Sequence, residues 1–378
     1  MSVLLLATYD TKHEEAAYLI GGLQALGVPV EQVDISLHAH GQHWSPKAKM
    51  AGMKEATDRA IAELAAKKQT GRRMVVAIGG GTGGQIALNV LKALPLQMPK
   101  VLVTTLPFDP RYVIADSSIV LVPTMADLCG LNATTRAALD QAAAITGGLY
   151  HATLPTGPAS LKPSIGVTSL GVTGPGTDEL CARLRAKGDE VTVFHANGFG
   201  GAAFCRWAAT GAFKSVVDYT PHELTRTYIA GLHAEMPGRF TAMGHIPRVV
   251  LPGGVNFIGM GEPNLMPEAY LKRPHYQHSP LFTHVQCSVD EIAICAHILG
   301  AALQEATAPL RVLIPMGGFS SEDRPGGAIE SPALRKVFAD KLEGHVPVTR
   351  LDGHINDASV AAAAAEALFS MTKENAHV

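Results

Sequence analysis

The chain has 378 residues, a formal net charge of -2, 47% hydrophobic and 17% charged residues, 38 glycines and 24 prolines. That length exceeds one ordinary core, so two domains are expected, and the composition is that of a globular protein with large buried sheets. It holds no basic block of the kind a nucleic-acid surface needs, no apolar run of the roughly 18 residues that span a bilayer, and five scattered cysteines without metal spacing or a disulfide framework, so neither a nucleic-acid nor a membrane partner is expected and a reducing cytoplasm is the expected compartment.

In chain order, 3–7 predicts a buried strand. Asp10, Lys12, Glu14 and Glu15 follow at once, so no secretory leader is expected. A helix is predicted over 12–26, a strand over 30–35, a helix over 47–66 and a strand over 74–78. That strand runs into Gly79-Gly80-Gly81-Thr82-Gly83-Gly84, with a helix expected from Gln85 to Leu94. Strands over 100–105 and 119–122 and a helix over 132–149 complete the first half. Strands alternating with helices imply an α/β class with parallel sheets covered on both faces, and continuous apolar strands fit two-sided burial.

Pro155-Thr156-Gly157-Pro158, closed by Lys162-Pro163, reads as a break. It divides the chain into two Rossmann-like three-layer subdomains, 1–158 and 159–378, with mainly parallel sheets. The second half restarts the rhythm with strands over 164–168, 190–194, 215–217, 248–251, 311–314 and 347–351. Ser288 and Glu291 make a capping box, and Val289, Ile292, Ala296, Leu299 and Leu303 then recur at helical spacing. Residues 252–287 read as a long loop rich in Pro, His and Asn, functional or interfacial. No sequence repeat relates the halves.

Three strand ends of the first half form the first candidate site. Asp10, Thr11 and Lys12 follow the first strand; Gly80, Gly81, Thr82, Gly83 and Gly84 follow the third; Thr104 and Thr105 end the fourth. In a doubly wound sheet such ends converge on one crevice. A glycine-rich turn opening a helix presents N–H groups at a positive helix end, a seat for phosphate or carboxylate. Lys12, in a first helical turn, opposes the helix dipole unless an anion sits before it. The glycine run lacks the Gly-Lys-Ser/Thr ending of a Walker loop, and Thr104-Thr105 stand where a dinucleotide site would need an acid. The plainer readings are a capping box from Thr11 to Glu14 and a tight glycine turn.

The second candidate is Phe194-His195-Ala196-Asn197-Gly198-Phe199-Gly200-Gly201, where His195 could serve as acid or base beside an anion pocket at Asn197, Gly200 and Gly201. Thr220-Pro221-His222-Glu223 has capping-box form, so Glu223 reads as a cap and Asp218 as the better catalytic candidate. The third candidate joins Ser320 and Asp323 to His354, with Thr173 and Asn256 as further substrate contacts and Asn356 as the cap of the last helix. No Gly-x-Ser-x-Gly elbow is present. The clusters His38, His40, His43 and His275, His278, His284 read as polar loop histidines rather than zinc ligands, and no metal site is expected.

The motifs Asp10-Thr11-Lys12-x-x-Glu15, Gly80-Gly81-Thr82-Gly83-Gly84, Pro99-Lys100-Val101 with Thr104-Thr105, and Asp127-Leu128-Cys129-Gly130-Leu131-Asn132 follow one another in a telling order. So do Gly171-Val172-Thr173, the run from Phe194 to Gly201, Asp218-Tyr219-Thr220-Pro221-His222-Glu223-Leu224, Gly254-Val255-Asn256-Phe257 and His354-Ile355-Asn356-Asp357. Together they resemble the Tm-type family, named for the ATP-binding N-terminal domain of the tomato mosaic virus resistance protein. The resemblance implies two Rossmann-like subdomains, ATP binding and a homodimer, and adds Asn132 to the nucleotide-binding set. The chain departs from the pattern with Asn197 in place of Thr, His278-Ser279-Pro280 in place of His-Asn-Pro, and Phe282-Thr283-His284-Val285 in place of an apolar stretch ending in Arg-Thr-Thr.

The expectation is therefore an ATP-binding protein. Amides of Gly80–Gly84 would hold phosphates, Lys12 would add a point charge, and Asp10 would position Mg²⁺. A small anionic metabolite would bind in the second half at Thr173, Asn197, Gly200, Gly201, Asn256, Ser320 and His354. The alternatives are an acid/base enzyme for a carboxylated small molecule, working through His195, Asp218, Asp323 and His354, and a non-catalytic nucleotide-dependent interaction protein.

Overall fold

The computed structural model describes residues 2–38, 43–66, 74–152 and 163–374. The chain divides into two compact units, Met1–Ser160 and Leu161–Val378. The break from Pro155 to Pro158, Lys162 and His40 lie outside the described residues.

In the first unit β1 (Val3–Ala7), β2 (Val30–Asp34), β3 (Met74–Gly79), β4 (Lys100–Thr104) and β5 (Ile119–Pro123) alternate with α1 (His13–Ala25), α2 (Pro46–Ala66), α3 (Gly81–Ala93), the short α4 (Pro110–Ile114) and α5 (Ala133–His151). The strands pair in parallel in the order β2-β1-β3-β4-β5. Their apolar residues divide between two faces. Val3, Leu5 and Ala7 pack with Leu19 and Leu23 of α1 and with Leu139 and Ala142 of α5. Leu4 and Leu6 pack with Ala60 of α2 and with Ile86 and Val90 of α3. Each fully buried leucine contributes roughly 1.5–3 kcal/mol, so burial on both faces holds the unit as three layers.

Helix α3 starts at Gly81, not at Gln85. Gly79 ends β3, Gly80 is the N-cap, and Gly81, Gly83 and Gly84 belong to the helix's own first turn rather than to a loop before it. Gly79 is required by contact: a Cβ there would stand 2.2 Å from the Gly84 nitrogen. The strand and helix meet backbone to backbone, which only glycine permits.

In the second unit β6 (Ser164–Ser169), β7 (Val191–His195), β8 (Phe213–Asp218), β9 (Arg248–Val250), β13 (Leu310–Pro315) and β14 (Thr349–Leu351) form a parallel sheet of order β14-β13-β9-β8-β6-β7. Read from the other edge, this is the winding of the first sheet with one strand added. Helices α6 (Gly174–Ala186), α7 (Gly200–Ala209), α8 (Glu223–Tyr228), α9 (Glu268–Leu271), α10 (Val289–Gln304), α11 (Pro332–Glu343) and α12 (Ala358–Glu374) accompany it. Leu180 of α6 and Ala364 of α12 cover one face with Val167 and Val249. Leu299 of α10 and Phe338 of α11 cover the other with Val250 and Ile314.

The segment 252–287 is not a loop. It carries β10 (Phe257–Met260), β11 (His275–Ser279) and β12 (Phe282–Gln286), which form a separate antiparallel sheet of order β10-β12-β11. Tyr276 of β11 and His284 of β12 pair across it, so polar rings occupy positions where an alternation of aliphatic residues would have announced strands. The capping box of Ser288 and Glu291 is present at the start of α10.

Candidate functional site

The order of the first sheet reverses between β1 and β3, the place where doubly wound sheets open a crevice. A cleft of ≈510 Å³ lies there. Thr8, Asp10, Thr11 and Lys12 line it from the end of β1, and Gly80, Gly81, Thr82, Gly83 and Ile86 from the start of α3. Leu37, Lys49 of α2 and Asp127 complete it.

Two helix N-termini meet at this cleft, and neither has a side-chain cap. The N-cap of α1 is Lys12 and that of α3 is Gly80; neither residue makes a side-chain capping bond. The Thr11–Glu14 capping box is therefore corrected. Thr11 instead donates to the Thr8 hydroxyl at 3.0 Å, and Glu15 accepts the Gly130 amide at 3.0 Å. The Lys12 ammonium donates to the Leu128 carbonyl, which holds its charge beside the helix ends. Uncapped N–H groups at two positive helix ends, with Lys12 and Lys49, make a field suited to an anion. Asp10 and Asp127 supply acceptor oxygens at the same rim.

Of the residues expected here, Asp10, Thr11, Lys12, Gly80, Gly81, Thr82 and Gly83 line the cleft, while Gly84, Thr104, Thr105 and Asn132 do not. Gly84 is buried and donates to the Gly80 carbonyl at 2.7 Å. Thr104 accepts the Leu106 amide at 3.3 Å. Asn132 caps α5, accepting the Thr134 and Thr135 amides at 3.0 Å each. Lys49 was missed because it lies on a helix, where no strand-end rule points. Asp127 stood within a quoted motif but nothing in its spacing marked it as a lining residue.

In the second unit the expected anion seat at Gly200 and Gly201 is filled by the chain itself. Asn197 accepts the Phe199 and Gly200 amides at 3.2 and 3.4 Å, and Glu223 accepts the Gly201 amide at 2.7 Å. Glu223 is thus not the cap of its own helix: it closes α7. Its other oxygen accepts from Arg239 Nε at 2.6 Å, and Arg239 also forks onto Asp218 at 2.8 and 2.9 Å. All three residues are buried. Burial pushes the Asp218 carboxyl up, but the Arg239 guanidinium outweighs it and holds the group below the ordinary carboxylate range. Asp218, doubly bonded to Arg239 and also bonded to Thr168 at 2.8 Å, anchors the fold and presents no free oxygen pair to a substrate.

The remaining catalytic candidates are engaged separately. Asp323 is fully buried, accepts the Phe319 and Ser331 amides at 2.9 and 3.0 Å, and pairs with Arg335. His354 donates from Nε2 to the Ser320 carbonyl at 2.9 Å and accepts the Asn356 amide at Nδ1 at 3.1 Å. His195 ends β7, its basicity lowered by desolvation against a smaller opposing pull from Glu223. Asn356 does not cap the last helix: its Oδ1 accepts the Gly176 amide at 3.2 Å, so it caps α6. Among the substrate candidates, Thr173 meets Thr220 at 2.7 Å and Asn256 donates to Ser320 at 3.0 Å. Among the described residues no group of three or more His, Cys, Asp or Glu is placed to hold a metal, and no helix is long and apolar enough to cross a membrane.

The model of the uncharacterised protein family (UPF0261) C-terminal domain matches residues 162–372, and that of its N-terminal domain matches 40–155. The chain belongs to the UPF0261 family. A UPF0261 protein of Mesorhizobium japonicum is 31% identical over 392 residues, covering 96% of this chain and 97% of the relative. One of Rhizobium meliloti is 33% identical over 394 residues, covering 97% and 98%. The ToMV resistance protein Tm-1 of Solanum lycopersicum is 27% identical over 317 residues, 80% of this chain and 42% of the tomato protein. The Tm-type resemblance of the motifs and membership of UPF0261 are thus the same relationship.

Proposed function

We propose that the protein binds a nucleoside triphosphate, ATP, in the cleft of its first unit. The observation that carries this reading is the meeting of two uncapped helix N-termini with Lys12 and Lys49 around one cleft. The amides of Gly81, Thr82 and Gly83 would receive phosphate oxygens, since helix-end N–H groups are natural phosphate donors. Lys12 and Lys49 would act as point charges on the chain of phosphates. The cleft volume lies within the range of small-molecule sites.

A magnesium ion fits this rim as a companion of the nucleotide. Mg²⁺ is commonly held through one or two carboxylates together with substrate phosphates and water. Asp10 and Asp127 offer that number. The acid/base alternative has less support, because Asp218, Asp323 and His354 each have their polar atoms engaged by the fold.

The test is calorimetric titration of Mg-ATP into the wild type, Lys12→Ala and Gly81→Val. A Cβ at Gly81, a residue that lines the cleft, meets nothing within 4 Å, so the position has room for a side chain, and the melting temperature of Gly81→Val reports whether the fold is kept. Binding of ~micromolar strength in the wild type, lost in Gly81→Val without loss of melting temperature, supports the reading. Absence of binding to the wild type sinks it.

A further inference from the structure

His222 and Arg226, one helical turn apart, face the antiparallel sheet β10-β12-β11. Register places Gly259 of β10 opposite His284 of β12, and His284 opposite Tyr276 of β11. The rings stack in a column: His222 on Phe257 at 4.4 Å, Phe257 on His284 at 4.1 Å, and His284 on His278 at 4.5 Å. Arg226 occupies room that two glycines leave. A Cβ on Gly259 would stand 2.2 Å from its Nη2, and one on Gly231 would stand 2.8 Å from its Cδ.

The hydrogen bonds orient these groups and leave a remainder. His222 donates from Nδ1 to the Gly254 carbonyl at 2.7 Å, so its Nε2 accepts from Arg226 Nε at 3.3 Å. The Tyr276 hydroxyl lies 2.8 Å from His284 Nδ1. Arg226 Nη1 and Nη2 have no hydrogen bond or ion pair among the described residues, although the residue is only 8% exposed. The nearby acids are committed. Glu223 and Asp218 are bonded to Arg239, with Arg248 also attracted to Asp218. Glu322, which faces Tyr276, lies 4.0 Å from Arg324. Burial, reinforced by Arg226, keeps His222 well below its ordinary range; burial, with His278 and then Arg226, takes His284 to about 3. Both rings are neutral at neutral pH, so Arg226 carries one surplus positive charge.

Glu223, already bonded to Arg239, pulls on Arg226 only at a distance and does not offset its burial, and a mostly buried guanidinium without a bonded acid is costly unless an anion completes it. One surplus charge on a planar fork matches one carboxylate better than a phosphate dianion, and the adjoining rings favour an organic body over an inorganic ion. We propose that Arg226, beside His284 and the Tyr276 hydroxyl that bonds it, is the binding site for the carboxylate of a small organic acid. The site uses no residue of the first-unit cleft and does not rest on the nucleotide reading. It moves the anion site of the second half away from Gly200 and Gly201, whose amides are already taken.

Two measurements test it, both on the full chain. In ¹⁵N spectra of the wild type, the Arg226 Nη signals are expected to shift saturably on addition of acetate, benzoate or succinate. Calorimetric titration with the best of these is expected to weaken at least about tenfold in Arg226→Lys, the loss of one charge-assisted hydrogen bond. The proposal is overturned by unmoved Nη signals with all three acids, by equal affinity in Arg226→Lys, or by tighter binding of inorganic phosphate than of any of the acids.

Discussion

The Glu223 carboxylate accepts the Gly201 amide at 2.7 Å. A Cβ on Gly201 would stand 2.5 Å from that carboxylate, so the glycine is there to admit the chain's own acid. The same acid is bonded to Arg239, which in turn holds Asp218. One buried network thereby ties the start of α7 to the end of β8.

Glu223→Ala is accordingly expected to cost about 3–5 kcal/mol, because it leaves Arg239 half-paired in the interior and uncaps α7. Urea unfolding checks this. A loss below about 1 kcal/mol would show that the network is worth no more than a surface ion pair.

Two neighbouring glycines should respond oppositely. Gly79→Ala puts a methyl 2.2 Å from the Gly84 nitrogen, a backbone clash expected to cost at least the 1–3 kcal/mol typical of overpacking (~2 kcal/mol). Gly81→Ala meets empty space and starts a helix, so its stability should stay within about 0.5 kcal/mol of the wild type or rise. Equal melting temperatures for the two variants would contradict the close approach of β3 and α3.

Acid should weaken the second unit before carboxylates titrate. His284 takes a proton in the folded chain only near 3, because burial and then His278 and Arg226 oppose its charge, whereas an unfolded histidine takes one near ~6.5. Between those values the unfolded chain binds more protons, so this contribution is complete above about pH 6.5 and is lost as pH falls towards 3. His222 is shifted in the same direction and adds to the slope. The melting temperature should fall steadily from about pH 7 to about pH 5, and less steeply in His284→Phe, which keeps a ring in the stack. A wild-type profile flat across that interval would refute the expectation.

Asn132→Ala separates capping from ligand binding. Loss of the two amide bonds at the start of α5 should cost about 1 kcal/mol, read as a lower urea midpoint. Mg-ATP titration of this variant should match the wild type, because Asn132 lies outside the cleft lining.

The central strands were legible because they are apolar runs, as in Val3–Ala7 and Met74–Gly79, and burial on both faces leaves few other uses for such runs, whereas the edge strands β2 and β14 carry polar residues. The cleft at Asp10–Lys12 and Gly80–Gly83 was legible because a doubly wound sheet brings those strand ends together. What could not be read was side-chain partnership at a distance. Glu223 looks like a cap in sequence, yet its partners are Gly201 and Arg239, and nothing local says so. The start of α3 was misplaced because glycine signals a turn, while here it serves close packing inside a helix. The strands β11 and β12 were hidden because histidine and tyrosine replace the aliphatic alternation.

The two sheets share one winding but finish their helices differently. In the second unit Asn356 and Glu223 complete the starts of α6 and α7 from within; in the first, α1 and α3 begin at the cleft without a side-chain cap. An anion in the cleft would therefore be the last structural part of the first unit and not merely its cargo. With an anion bound as proposed, heat resistance of that unit would be a property of solution composition, rising with the logarithm of ligand concentration, while the internally capped starts of α6 and α7 would owe nothing to it.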